Sequence, residues 1–201
     1  MLRVGLTGGL ATGKSFVGHS LADLGCHLVE ADELGHQVLL PGGEAYDAVV
    51  NEFGGDILDD EGMIDRRLLA ARVFDNPERL KKLNSLVHPP VTRREEEIAA
   101  DIARREPDAI LVVAAAILVE TGSYKRFDRL IVAVCTPEQQ LERAMRRSAY
   151  TKEEVMSRLS RQLPLEEKIK VADYIVDTSG TKEHALEQVR QVYQSLRSLS
   201  K

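Results

Sequence analysis

The chain has little from which to build a metal centre or a disulfide framework. Its two cysteines, Cys26 and Cys135, stand far apart and match no metal or redox spacing, so both read as small core residues kept reduced. The five histidines are scattered without a ligand pattern, which argues against a metal cluster. Positive charge is not in excess either: 27 basic against 32 acidic side chains leave a formal net charge of −5. The whole molecule therefore has no general attraction for nucleic acid or an anionic membrane, and any anion site must be local. No apolar run approaches the roughly 18 residues of a membrane span. An apolar strand pattern begins within two residues of Met1, leaving no room for a signal peptide, so a cytoplasmic protein is expected. Repeats and low-complexity linkers are missing too. Aromatic residues make up 4% with no tryptophan, yet 43% hydrophobic and 29% charged residues are ordinary for a soluble globular protein.

What is present is a chain of 201 residues, enough for one substantial core with appendages. Short apolar runs at Leu2 to Leu6, Cys26 to Val29, Ile110 to Val113, Leu130 to Val134 and Tyr174 to Val176 alternate with helical patterns. Continuous apolar runs suit a parallel sheet buried on both faces. Helices carrying Val17, Leu21 and Leu24, and Leu186, Val189, Tyr193 and Leu196, would cover it. The expected fold is α/β: a three-layer core with a parallel sheet, interrupted twice.

The first interruption is the roughly 80 residues between the second and third runs, helical in pattern and too long for a plain crossover. It reads as a helical insertion where open α/β sheets bind ligands, beyond the carboxyl ends of the strands. The second runs from about Thr136 to Lys168, with a break expected near Ser148 to Thr151. Between Arg143 and Arg161 it carries six basic residues (Arg143, Arg146, Arg147, Lys152, Arg158, Arg161) against Glu153 and Glu154. Such a segment on an acidic chain suits an arm that closes over phosphates, although a solvated helix face would also hold these charges.

Residues Gly8 to Ser15 read Gly-Gly-Leu-Ala-Thr-Gly-Lys-Ser and fit G-x-x-x-x-G-K-[ST] directly after the first strand. In this phosphate-binding loop the glycines turn successive backbone N–H groups toward one point. The helix opening at Gly13 adds its positive dipole end to the same anion site. Lys14 would reach the β and γ phosphates, and the Ser15 hydroxyl would sit on Mg²⁺, which keeps most of its waters and takes few protein ligands. A nucleoside triphosphate is the implied ligand.

Asp32 follows the second strand, taken to lie beside the strand that feeds the loop. A carboxylate there would accept the proton of an acceptor hydroxyl or orient Mg²⁺ through water; an Asp at such a junction also serves as an N-cap. Arg66 and Arg67 follow Asp65 in the insertion, where an arginine can clamp a phosphate or simply pair with Asp65. His88 precedes Pro89-Pro90 and reads as a helix stop. A guanine-reading Asn-Lys-x-Asp is absent, and Asp177-Thr-Ser-Gly180, which imitates a switch Asp-x-x-Gly, follows the last core strand. No Asp closes the strand Ile110 to Val113, where Ala114-Ala115-Ala116 follow, so a switch or motor reading gives way to a small-molecule kinase.

The string Gly5-Leu-Thr-Gly-Gly-Leu-Ala-Thr-Gly-Lys-Ser15, then Ala31-Asp32, Gly62-Met-Ile-Asp-Arg-Arg-Leu68, Val73-Phe74 and His88-Pro89 resembles dephospho-coenzyme A kinases. The likeness continues through Ile117-Leu-Val-Glu120, Gln140-Leu-Glu-Arg143 with Arg147, Arg158 with Gln162, and Ala172-Asp173. It implies ATP-dependent phosphorylation of the ribose 3′-hydroxyl of dephospho-coenzyme A, with another small acceptor such as a nucleoside monophosphate or shikimate as the alternative. Carried onto this chain, it implies a nucleotide-binding core (1–31, 108–135, 169–201), an acceptor-binding insertion (32–107) and a lid (136–168). Gly8, Gly9, Ala11, Thr12, Gly13, Lys14, Ser15 and Phe16 would bind ATP, and Ser15 the Mg²⁺. Asp32, Arg66, His88 and Arg147 would meet the acceptor, while Lys14, Asp32 and Arg143 carry the catalysis. No nucleic acid, membrane or obligatory protein partner is implied. The chain departs from the family pattern at Phe16, Ala116, Ser148 and Thr178, which is expected to weaken nucleotide affinity or alter lid geometry without abolishing transfer.

Overall fold

The computed structural model describes residues 1–73, 76–147 and 151–200, residue 147 through its backbone alone. Phe74 and Ser148, singled out above, lie outside the described residues. In chain order the elements are β1 (Leu2–Gly8), α1 (Lys14–Asp23), β2 (His27–Glu30), α2 (Ala31–Gln37), α3 (Tyr46–Phe53), α4 (Arg66–Val73) and α5 (Pro77–Arg105). Then come β3 (Ile110–Ala114), β4 (Arg129–Val134), α6 (Pro137–Arg147), α7 (Lys152–Leu159), α8 (Leu165–Ile169), β5 (Tyr174–Asp177) and α9 (Lys182–Leu199). They form two compact units, Met1–Glu30 with Asp101–Lys201, and Ala31–Ala100.

The first unit is built on a five-stranded sheet in the order β2-β3-β1-β4-β5, with every pairing parallel. All five apolar runs read from the sequence are strands. Alternate residues serve opposite faces. Val4, Leu6, Val112, Ala114, Ile131, Ala133 and Val176 share a buried cluster with Val17 and Leu21 of α1 and Val189, Val192 and Leu196 of α9. On the other face Gly5 lies against Leu118, Phe127 and Leu130, where even an added methyl would stand about 3.0 Å from the Phe127 ring. The buried stripe of α9 is Ala185, Val189, Val192 and Leu196, one position away from the expected Leu186 and Tyr193, which flank it half-buried. Ala185 and Val192 are less conspicuous than Leu and Tyr but fall on the buried face of the helix.

Two expectations are corrected. β2 does not neighbour β1, because β3 stands between them and pairs with both. Burial explains the order. All five residues of β3 are buried, which needs strands on both sides, whereas β2 is four residues long, only Val29 among them is buried, and it serves as an edge. The helix expected to stop at His88 instead runs through Pro89 and Pro90 to Arg105. Each proline removes one backbone donor, so the carbonyls of Ser85 and Leu86 lack their usual partners four residues on. The rest of this 29-residue helix supplies the continuity that those two positions do not.

In the second unit, Asp59 organises the turn that leads into α4. Its carboxylate accepts from Glu61 N–H at 3.0 Å and Met63 N–H at 2.8 Å, below an isolated Leu58–Ile64 bridge. The Tyr46 hydroxyl donates to the Gly62 carbonyl, fixing α3 to the same turn.

Candidate active site

β1 ends at Gly8 and α1 begins at Lys14, so the loop between them spans the turn that the motif predicts. Gly13 adopts φ +85°, a left-handed conformation that costs an ordinary residue roughly 1–2 kcal/mol. A Cβ there would also stand 3.1 Å from Thr178. Gly8 is constrained differently: a Cβ would lie 2.8 Å from the Ala133 carbonyl of β4. Ala11 takes φ +57° without being glycine, so strain of order 1 kcal/mol is held in the loop. Fully buried Thr12 closes the turn, with both its N–H (3.3 Å) and its hydroxyl (2.9 Å) donating to the Gly9 carbonyl.

The first turn of α1 follows Gly13 with no capping side chain and contains no acidic residue. By contrast, Thr151 and Thr181 cap α7 and α9 through their hydroxyls. A helix start without a capping side chain, together with the positive end of the helix dipole, suits an anion. Lys14 and Ser15 are the first two residues of that helix, half-buried beside it. Phe16 turns into the apolar cluster under α1.

Distant side chains hold the loop from outside. The Gln140 amide of α6 donates to the Leu10 carbonyl at 2.9 Å, and the Gln162 side chain accepts from the Leu10 N–H at 2.9 Å. Thr178, at the end of β5, donates its hydroxyl to the Thr12 carbonyl at 2.8 Å. Arg143 in turn donates to the Thr178 hydroxyl at 3.1 Å and to its carbonyl at 2.8 Å. The adjoining Asp177 carboxyl is held below its usual range by hydrogen bonds from the Ser179 side chain and N–H. Burial pushes the nearby Cys135 thiol up, an effect that the Arg143 guanidinium opposes.

In the Ala31–Ala100 unit, Asp32 lies in the first turn of α2, exposed. Arg66 is the first residue of α4 and also exposed. The Asp65 carboxylate is occupied in capping that helix, accepting from Arg67 N–H at 2.7 Å and Leu68 N–H at 3.2 Å. Those two bonds are the main cause that holds its pKa down, and the Arg67 charge adds a smaller part in the same direction. His88 is half-buried on α5, and desolvation lowers its pKa. Among the described residues no group of three or more His, Cys, Asp or Glu side chains could hold a metal.

The dephospho-CoA kinase family model matches residues 2–184. A dephospho-CoA kinase of Aquifex aeolicus is 40% identical over 196 residues, covering 98% of each chain. The chain belongs to the dephospho-CoA kinase family. The enzyme of that name from Geobacillus kaustophilus is 38% identical over 201 residues, covering 100% of this chain and 99% of its own. Among solved structures, a Thermus thermophilus protein superposes with a TM-score of 0.82 at 29% identity and 96% coverage of both chains. A dephospho-CoA kinase from Campylobacter jejuni gives 0.72 at 26% identity, with 99% and 98% coverage.

Membership makes the chain a kinase that phosphorylates dephospho-CoA to CoA with ATP. Sequence reasoning gave no role to three residues that touch the dephospho-CoA kinase loop: Gln140, Gln162 and Thr178. For Gln140 a signal existed, because Gln-x-x-Arg puts Gln140 and Arg143 on one face of α6. From the sequence, Thr178 shows only as a departure from the family pattern. Its bond to Thr12 crosses 166 positions of chain, which no local pattern records.

Proposed function

We propose that this chain transfers the γ-phosphoryl group of ATP to the ribose 3′-hydroxyl of dephospho-CoA, and that the uncapped α1 terminus receives the phosphates. The observation that supports this most is the strained loop at Gly8 to Ser15, opening a helix that no side chain caps. In-line phosphoryl transfer needs positioning and charge stabilisation more than covalent help. Backbone N–H groups of the loop and the Lys14 ammonium would bind the β and γ phosphates. Asp32 would accept the proton of the attacking hydroxyl. Arg66, His88 and Arg147 would hold the acceptor, and Arg143 would stabilise charge on the transferred group from the lid.

The residues present suit Mg²⁺ held mainly by phosphate oxygens and water, since a single hydroxyl, that of Ser15, stands at the helix start and no carboxylate cage occurs among the described residues. When bound, that ion supplies neutralisation of phosphate charge. Among the described residues no helix is long and apolar enough to cross a membrane, and the reaction joins small molecules, so a cytoplasmic setting without nucleic acid or an obligatory protein partner fits this reading. The test is ADP release measured with dephospho-CoA, AMP, CMP, shikimate or water as acceptor. We expect turnover that requires both dephospho-CoA and Mg²⁺. Equal turnover with AMP or water would overturn the assignment.

A further inference from the structure

The segment that ends the basic arm carries a lysine in an unusual place. Lys168, in the short helix α8, is 0% exposed. An ammonium out of contact with water must have all three of its donors satisfied. Here they go to the Ala116 carbonyl at 2.8 Å, to the Glu120 carboxylate at 2.7 Å and to the carbonyl of Gly8 at 3.3 Å. Gly8 is the first residue of the phosphate-binding loop. The same Glu120 oxygen accepts from Leu163 N–H at 3.1 Å, and one residue earlier Gln162 holds the Leu10 N–H. Seven consecutive positions, 162–168, thus place bonds on both Gly8 and Leu10 and on the chain that leaves β3.

Stability alone gives little reason for a charge here. A buried ion pair is commonly no better than an apolar pair of equal volume, because desolvation offsets the Coulomb attraction. What a lysine pair adds is direction: three N–H groups aimed at three fixed acceptors.

We propose that Lys168 is a positioning residue for nucleotide binding: held by Glu120, its ammonium fixes the Gly8 carbonyl and so makes the shape of the phosphate loop depend on how the returning arm is seated. This rests on the reading of Gly8 to Ser15 as the nucleotide site. Lys168 touches no substrate in the scheme; it acts through the loop backbone. A loop strained at Ala11 and turned at the conformationally free Gly13 would have more than one accessible backbone arrangement once such a support is removed.

The experiment is calorimetric titration of the full chain with MgADP, without acceptor, alongside thermal unfolding and steady-state kinetics. Wild type comes first, and failure of wild type to bind MgADP overturns the loop reading itself. Lys168→Met is expected to weaken MgADP binding by about tenfold or more and to raise the KM for ATP in step, with the dephospho-CoA KM changed less than about threefold. It also leaves Glu120 without its cation, so it will be less stable. The double variant Lys168→Met, Glu120→Gln removes that unpaired charge while its amide oxygen still receives Leu163 N–H. We expect its melting temperature to recover toward wild type while MgADP affinity stays low. Recovery of affinity together with stability, or MgADP binding by the folded double variant within about twofold of wild type, would overturn the proposal and leave Lys168 a packing residue. Should neither variant fold, Glu120→Gln alone decides: a weakening of about threefold or more supports positioning, and an unchanged affinity refutes it.

Discussion

In the sheet unit, the loop at Gly8 to Ser15 is held by side chains that arrive from far along the chain: Gln140, Gln162 and Thr178 span 130, 152 and 166 positions to reach it. In the Ala31–Ala100 unit the side-chain bonds onto backbone are mostly local, as at Asp59 and Asp65, and Asp32 and Arg66 stand exposed. The two regions therefore organise their proposed roles in different ways. Around the loop, backbone donors are fixed in advance and cost little reorganisation when charge develops, which is how electrostatic stabilisation gains its strength. In the other unit two of the proposed groups, Asp32 and Arg66, are exposed side chains, so ligand binding there would have to fix more side-chain freedom. Substitutions near the loop should thus act on phosphate binding and transfer with a clear split in kinetic constants, and those in the other unit on acceptor handling.

The largest effect is expected for Lys14→Ala, a loss of about 10³-fold or more in kcat/KM with little change in melting temperature, because the residue is half-buried and supplies charge more than packing. Assay of ADP release alongside thermal unfolding checks it. Near wild-type activity in a folded variant would remove the loop from the chemistry and break the comparison at its stronger end.

Asp32→Asn comes next, with kcat reduced by roughly 10²-fold and the acceptor KM little changed, as for a group that takes a proton in the transition state. The competing outcome is specific. Unchanged kcat with a lowered melting temperature would make Asp32 a helix-start residue of α2, like Asp65 at α4, and the unit would then lack its proposed catalytic group.

These two residues also mark how far sequence reading carries. The loop motif needs only eight consecutive residues and a preceding apolar run, all local, and it puts the helix opening at Gly13, one residue before the observed start at Lys14. Each strand was legible for the same reason, since a fully buried strand is continuously apolar. Strand neighbours were not: an apolar run at Cys26 to Val29 says nothing of which strand lies beside it, and β3 separates β2 from β1. The helix through Pro89 and Pro90 is not legible from the local rule about donors, because the other positions of this 29-residue element outweigh those two. The clamps on Leu10 and Thr12 depend on tertiary proximity; Gln140 with Arg143 and Gln162 with Arg158 show in the sequence as parts of the family pattern, but nothing in that pattern says which loop atoms they hold.

A smaller effect, about tenfold, is expected at Arg143. Its guanidinium rests on Thr178, which rests on Thr12. If it stabilises charge on the transferred group, Arg143→Ala lowers kcat while the KM for ATP holds. A raised KM for ATP at constant kcat would instead show that it works through Thr178 on the loop, as a support of the same kind as Gln140. The two constants, measured with saturating dephospho-CoA, separate these outcomes.

The smallest effect concerns pH and distinguishes the units by their acid sensitivity. Desolvation lowers the His88 pKa in the folded state, so the unfolded chain binds a proton at this site more readily. Stability is unaffected where both states are neutral and declines as pH falls below the ordinary histidine value near 6.5. Asp177 in the sheet unit also has a lowered pKa, held down by Ser179. Its contribution is present above the ordinary carboxyl value of 3.8 and is lost only as pH falls through and below that range. Acidification should therefore weaken the His88 helix before it reaches the Asp177 loop. Urea unfolding at about pH 7.5 and about pH 5.5 tests this, with His88→Gln expected to lose less stability than wild type between the two and Asp177→Asn to lose as much as wild type. Equal losses in wild type and His88→Gln would show that the His88 ring stays solvated enough to take its proton freely in the folded chain.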